Sequence, residues 1–363
     1  MTQSPRARVF VLPFLHLGVG RLVADLVLAV VDSTRCHVVT CGRSGHLGDD
    51  ADLVSELTQA GVRFSRADLF SRDADAMAAS ARHVGSVCAE ERPAVAHAFT
   101  APAAAAALSH APVVASVVGW APDKSPEHRA MDAAILERCR LVTVVSEAVA
   151  RDLRAAGLIR EDTELVHNGV AVGAPASVRV ATVPSDPPVV GVMAQLIERK
   201  GVDVLLDAVA RVARTTPCRL VVAGTGVEEP RLRAQAERLG LDASVAWVGR
   251  CSLDRFFSDV DFVVVPSRSD ALPMVLLHSM ASGRAVIASR VGGIPEALRD
   301  GEHGLLVEPG DPAGLAHAIE TTVRHPDAAG ARARAARARI TECFSRDVMI
   351  RRYLDCYRRA EAA

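Results

Sequence analysis

Residues Asp261–Val307 read DFVVVPSRSDALPMVLLHSMASGRAVIASRVGGIPEALRDGEHGLLV. The apolar run Phe262–Val265, bounded by turn-forming residues, reads as a parallel strand buried on both faces. Pro266–Pro273 follows as a loop with one acid, Asp270. Met274–Ser282 has the composition of a short helix, and Gly283 supplies an easy left-handed C-terminal cap. Ala285–Ser289 reads as the next strand, and Val291-Gly292-Gly293-Ile294-Pro295-Glu296 turns into a further helix. Such a strand–loop–helix–strand unit places its loop and helix start at the carboxyl end of a parallel sheet. Open parallel sheets bind ligands there, and the free N–H groups of a helix start favour anions such as phosphate.

The stretch resembles the donor-binding signature of retaining family 4 glycosyltransferases, which have the GT-B fold. Their pattern is P-S-x-x-E-G-F-x-x-x-x-x-E-A-M-A-x-G-x-P-V-I-A, followed some residues later by G-G-x-x-E. Pro266-Ser267, Met280-Ala281, Gly283, Val286-Ile287-Ala288 and Gly292-Gly293 fall at matching spacing. The family's two glutamates fall on Asp270, a shortened acid, and on His278, which is not an acid. The resemblance implies an α/β chain with two Rossmann-like domains facing each other across a cleft.

A length of 363 residues, half of them hydrophobic, suits two domains with a core each. Net charge of −1 and a pI near 6.9 argue against a nucleic acid as main partner. Lysine occurs only at Lys124 and Lys200, the other basic residues being arginine. The 8 cysteines contain no C-x-x-C pair, and no Cys/His cluster has zinc-ligand spacing, so they read as reduced thiols of a cytoplasmic protein. Arg6-Ala7-Arg8 with Val9–Leu17 mimics a secretory signal. Pro13 and His16 break the apolar run, and it reads instead as a first strand. No apolar run approaches the ~20 residues of a membrane span. The proline-rich stretch Ala171–Pro188 marks an interdomain joint, giving domains at residues 1–170 and 186–345. By the resemblance, the terminal helix within 346–363 returns to the first domain; its apolar residues Val348, Met349, Ile350, Tyr353, Leu354 and Tyr357 share one side.

In the first half, Val9–Leu12 reads as a strand, His16-Leu17-Gly18-Val19-Gly20 as a glycine loop and Arg21–Val31 as a helix. In the resembling family this loop is Gly-Gly and approaches donor phosphates and acceptor, which nominates Gly18 and Gly20; Arg21 stands where the second glycine would. Strands follow at Cys36–Cys41, Ala94–Ala98 and Val113–Val118. Family members carry His-Gly at the end of the last of these, where the histidine reaches the reacting centre, but this chain has Val118-Gly119. His97, ending the preceding strand, and His16 are the candidate substitutes, and His97 is taken as catalytic. Ser146 reads as the cap of a helix beginning at Glu147, and Asn168-Gly169 as a tight turn.

In the second half, the family's G-R-L-x-x-x-K-G loop, whose Arg and Lys hold the donor pyrophosphate, corresponds to Ala194-Gln195-Leu196-Ile197-Glu198-Arg199-Lys200-Gly201. Lys200 and Gly201 are kept and Gln195 replaces the arginine. Gly224-Thr225-Gly226 matches the family's G-x-G, and Arg250 lies in the loop that in the family faces the nucleobase. The resemblance assigns phosphate contacts to Lys200 and to the segment Leu272-Pro273-Met274-Val275. It gives Asp270 the donor-sugar hydroxyls and His278 the ribose. A neutral imidazole offers one acceptor nitrogen where a carboxylate offers two oxygens, so ribose binding should differ. The implied function is transfer of a sugar, with retention and without metal or cofactor, from a UDP- or dTDP-sugar to a small-molecule or glycan acceptor. The alternative is an impaired homologue serving as a binding or partner subunit.

Overall fold

The computed structural model describes residues 7–41, 49–69, 71, 73–119, 125–173 and 186–362. Lys124 and residues 174–185 of the proline-rich joint lie outside them. The chain divides into two compact units, Met1–Gly169 with Arg346–Ala363, and Val170–Ser345.

The first unit is built on strands β1 (Ala7–Val11), β2 (Arg35–Thr40), β3 (Arg63–Arg66), β4 (Val95–Ala98), β5 (Val113–Val117), β6 (Leu141–Val144) and β7 (Glu164–Leu165). All pair in parallel, in the order β3-β2-β1-β4-β5-β6-β7. Side chains alternate across a strand, so Val9 and Val11 enter one core with the Ala101–Ala107 helix, while Phe10 and Leu12 enter the other. The helix Arg346–Ala362 covers that second core with Met349, Tyr353, Cys356, Tyr357 and Ala360. Val348 and Ile350 lie at the edge of this stripe rather than in it. Helix starts are fixed by side chains that accept backbone N–H bonds, among them Asp50, Asp73, Thr100 and Ser146.

One element differs from the sequence reading. The first helix is Leu17–Leu28, so Gly18 and Gly20 lie inside its first turn and not in a loop. The Gly20 N–H donates to the His16 carbonyl at 3.0 Å, and a Cβ on Gly20 would meet the Leu15 carbonyl carbon at 2.7 Å. Glycine here allows two backbone segments to touch.

The second unit carries β8 (Val189–Met193), β9 (Arg219–Ala223), β10 (Val245–Gly249), β11 (Phe262–Val265), β12 (Ala285–Ser289) and β13 (Leu305–Val307), parallel in the order β10-β9-β8-β11-β12-β13. Leu205, Leu206 and Val209 of helix Val202–Val212 join Leu315 and Ile319 of helix Pro312–Arg324 over Val190, Val192, Leu220 and Val264. Helices Met274–Ala281 and Pro326–Cys343 also pack on each other. The chain leaves β8 toward β9 and β10, then returns to place β11 on the opposite side of β8. In an open parallel sheet such a reversal sends adjacent loops to opposite sides and leaves a crevice at the carboxyl ends of the strands.

Candidate active site

The loops after β8 and β11 flank that crevice, and their backbones are locked together. Gly201 has φ +67°, and a Cβ there would lie 2.0 Å from the Pro266 carbonyl oxygen. The Arg268 N–H donates to the Arg199 carbonyl at 2.8 Å. The Arg268 guanidinium grips both carboxylate oxygens of Asp203 at 2.7 Å and donates to the Glu198 carbonyl at 2.8 Å. A bidentate guanidinium–carboxylate pair fixes orientation as well as distance. On this frame the Lys200 ammonium meets Asp270 Oδ2 at 2.5 Å, with side-chain exposures of only 16% and 11%. The Ser267 hydroxyl is 3.4 Å from the same oxygen. Arg199 reaches it at 4.0 Å while donating to the Ser269 carbonyl at 2.9 Å. The structure therefore brings together Lys200 and Asp270, which are 70 residues apart in sequence.

Neighbouring turns close on the same loops. Gly224 has φ +125°, and its missing side chain leaves room for the Ala194 carbonyl, 1.8 Å from where a Cβ would sit. Gly226 does the same for the Leu196 carbonyl at 2.2 Å. The nominated glycines thus seat the loop that carries Gln195 and Lys200; Gln195 itself is half-buried. Leu272 and Pro273 are buried, and the helix that starts at Met274 has no side-chain cap on its first turn. Met274 and Val275 are half-buried there. His278 lies in the last turn of this helix, Met274–Ala281, and not in its first. The helix is only 8 residues long, so the fifth residue is already in its second turn. Burial pushes the His278 imidazole down to about 4, which leaves it neutral near pH 7. Arg250 is exposed beyond β10. Among the described residues, no group of His, Cys, Asp and Glu is placed to hold a metal ion, and no helix is long and apolar enough to cross a membrane.

The nominated residues of the first unit have other partners. His97 is fully buried. Its Nδ1 lies 2.7 Å from the Tyr357 hydroxyl and its Nε2 2.7 Å from the Ser116 hydroxyl. Ser116 continues the network to Thr143 at 2.6 Å and Tyr353 at 3.2 Å. The Arg8 guanidinium sits 4.6 Å over the Tyr357 ring and pairs with Glu361 at 3.1 Å. Burial, aided by Arg8, pushes the His97 imidazole down to about 3. Both ring nitrogens of His97 are engaged inside the core, so it anchors the terminal helix and does not stand in for the family's catalytic histidine. Two-residue alternation explains it: Val95 and Phe99 share the core beneath that helix, while Ala96 and Ala98 face the other way. Arg21 pairs with Asp25 and Glu56, each at 2.5 Å, so its charge is neutralised within the unit. Val118 packs against the same core as His97.

Two family models match the chain: Glycosyltransferase Family 4 over residues 17–173 and Glycosyl transferases group 1 over residues 187–325. Between them they take in most of both units. The chain belongs to the group 1 glycosyltransferases. It is 35% identical over 225 residues to a D-inositol 3-phosphate glycosyltransferase of Nocardioides, covering 55% of this chain and 49% of that protein. It is 39% identical over 141 residues to the lipopolysaccharide core biosynthesis glycosyltransferase LpsE of Rhizobium meliloti, covering 39% and 41%. The chain thus spans about half the length, or less, of these curated relatives. A Rickettsia africae glycosyltransferase superposes over 99% of both chains with TM-score 0.82 at 18% identity. Anabaena HepE, solved with UDP and glucose, superposes over 97% of this chain and 99% of its own with TM-score 0.80 at 20% identity. These likenesses establish the GT-B fold.

Within this family member, sequence reasoning missed the parts that hold the crevice in shape. Arg268 and Asp203, and Arg199 beside Lys200, carried no motif signal. The only hint was their position in the two loops where the strand order reverses.

Proposed function

We propose that this chain transfers a glycosyl group from a nucleoside-diphosphate sugar, UDP- or dTDP-linked, to an acceptor hydroxyl with retention of configuration. The observation that carries the reading is the Lys200–Asp270 pair at 2.5 Å, set at the strand-order reversal of the second domain. The family match and the UDP seen in Anabaena HepE support it. In the reaction, the sugar C1–oxygen bond to the diphosphate breaks and a bond from the acceptor oxygen forms on the same face. The acceptor proton passes to the departing diphosphate. Lys200 and the N–H groups at Met274 and Val275 neutralise the charge that develops on the leaving group, the largest share of catalysis in such a step. Asp270 orients Lys200 and accepts from the sugar hydroxyls, Gly224 and Gly226 seat the loop, His278 meets the ribose and Arg250 the base. The first domain supplies the acceptor side, with Gly18 and Gly20 at its first helix. The same reading includes a role in specialised-metabolite or glycoconjugate biosynthesis, and the lipopolysaccharide core biosynthesis relative supports the glycoconjugate side of it.

The test is a binding screen of UDP-, dTDP-, GDP- and ADP-sugars, followed by a hydrolysis assay on each binder. Binding with slow release of free sugar is the expected result. Binding without any turnover, with or without candidate acceptors, or no binding at all, defeats the transferase reading and selects the partner-subunit reading.

A further inference from the structure

We propose that Arg199 is the second cation of the diphosphate site, acting beside Lys200. This rests on the nucleoside-diphosphate-sugar reading above and adds a residue that no motif assigns. Arg199 ends the loop after β8, next to Lys200, and its guanidinium lies 4.0 Å from Asp270 Oδ2. Two cations therefore face one carboxylate, and one positive charge stays uncompensated in the crevice. Other charges nearby do not cancel it. Asp203 is taken by the bidentate Arg268, and the Glu198 carboxylate also acts on Arg268. Arg199 makes a single hydrogen bond, from Nη1 to the Ser269 carbonyl at 2.9 Å, and its side chain is 47% exposed. The rest of its fork has no protein partner among the described residues. Lys200, by contrast, is held by Asp270 and only 16% exposed. Gln195, on the same loop, is neutral, so the side-chain charge that this loop offers a diphosphate comes from Lys200 and Arg199.

A free planar fork suits a phosphate's oxygens better than a point charge does. One held ammonium suffices for a monophosphate, whereas a diphosphate brings a second anionic group that the exposed guanidinium can meet. The chemistry recognised is thus a diphosphate in particular.

The experiment is calorimetric titration of UDP and of UMP into the full chain, its Arg199→Ala variant and its Arg199→Lys variant, at one fixed ionic strength. Losing a charge-assisted bond should lower UDP affinity ~10- to 100-fold in Arg199→Ala, with UMP affinity changed less than ~3-fold. Arg199→Lys should recover part of the loss, because it keeps the charge but not the fork. If Arg199 only held the loop through Ser269, UDP and UMP would weaken together and the melting temperature would fall, and the proposal fails. Unchanged UDP binding in Arg199→Ala also overturns it while leaving the donor reading intact. A parent chain that binds neither nucleotide overturns the donor reading itself.

Discussion

Each domain reverses its strand order once, between β1 and β4 in the first and between β8 and β11 in the second, and polar residues gather at both places. They are used in opposite ways. At the first reversal, His97 is enclosed by Tyr357 and Ser116. Arg21 is neutralised by Asp25 and Glu56, and Asp49 holds the Leu15 N–H at 2.8 Å and the Thr40 hydroxyl at 2.6 Å. Every donor named there finds its acceptor inside the domain. At the second reversal, Lys200 and Arg199 share one carboxylate, while a helix start without a side-chain cap is common to both places. Equal topology therefore does not make equal sites. A polar group whose partners are internal rigidifies the fold, and a charge left over is available to a ligand.

The contrast can be broken most decisively at His97. His97→Ala removes a buried ring and takes the Tyr357 hydroxyl's partner away, while Ser116 keeps Thr143 and Tyr353. The change should cost ~3–5 kcal/mol in stability. Donor affinity of the folded protein should stay unchanged. Chemical denaturation alongside UDP titration checks both halves, and a stability loss under ~1 kcal/mol with weakened UDP binding would reverse the contrast.

Lys200→Ala is the mirror image. It should weaken UDP binding by ~1.5–3 kcal/mol, or ~10- to 100-fold, with a much smaller change in stability than His97→Ala. A variant that binds UDP as tightly as the parent removes Lys200 from the site.

Acidification sharpens the comparison further. His97 binds its proton only near 3 when folded, against ~6.5 in an unfolded chain. Below ~6.5 the unfolded chain takes up the proton first, so stability is complete above that pH and is lost as pH falls toward 3. At pH ~5 the loss from this residue is ~2 kcal/mol. His278, pushed down to about 4, adds a loss of the same sign in the second domain. Thermal melts across pH 5–7 for the parent and for His97→Gln should therefore show a shallower decline in the variant; parallel curves would exclude His97 as a source.

The smallest effect belongs to His278→Glu. Restoring a two-oxygen acceptor should raise the preference for UDP over dTDP by ~0.5–1.5 kcal/mol, about one net hydrogen bond. A parent that already prefers UDP a hundredfold would make His278 irrelevant to the sugar of the nucleotide.

Much of the second domain was legible in sequence because its signals are local. Phe262–Val265 and Ala285–Ser289 are the strands that their apolar runs predict, and in the first domain Ser146 likewise caps the helix that it precedes. Lys200 and Asp270 were nominated by motif before any geometry, since each sits at a fixed spacing from glycines that the loop requires. Less was legible where the pattern is ambiguous. Gly18 and Gly20 suggested a loop, yet glycine is tolerated in a first helical turn, and Leu22, Val23, Leu26 and Val27 draw the helix back over the sheet.

Sequence by itself determined the two-domain α/β class and most of the element order, and it nominated Lys200 and Asp270, because periodicity, caps and motif spacing are local properties of the chain. Tertiary structure alone decided which histidine is enclosed and which cation is left over. His97 and Tyr357 are 260 residues apart, and Arg199 and Ser269 are 70 apart. Whether a polar group is satisfied depends on what the fold brings against it, and no local pattern encodes that partner.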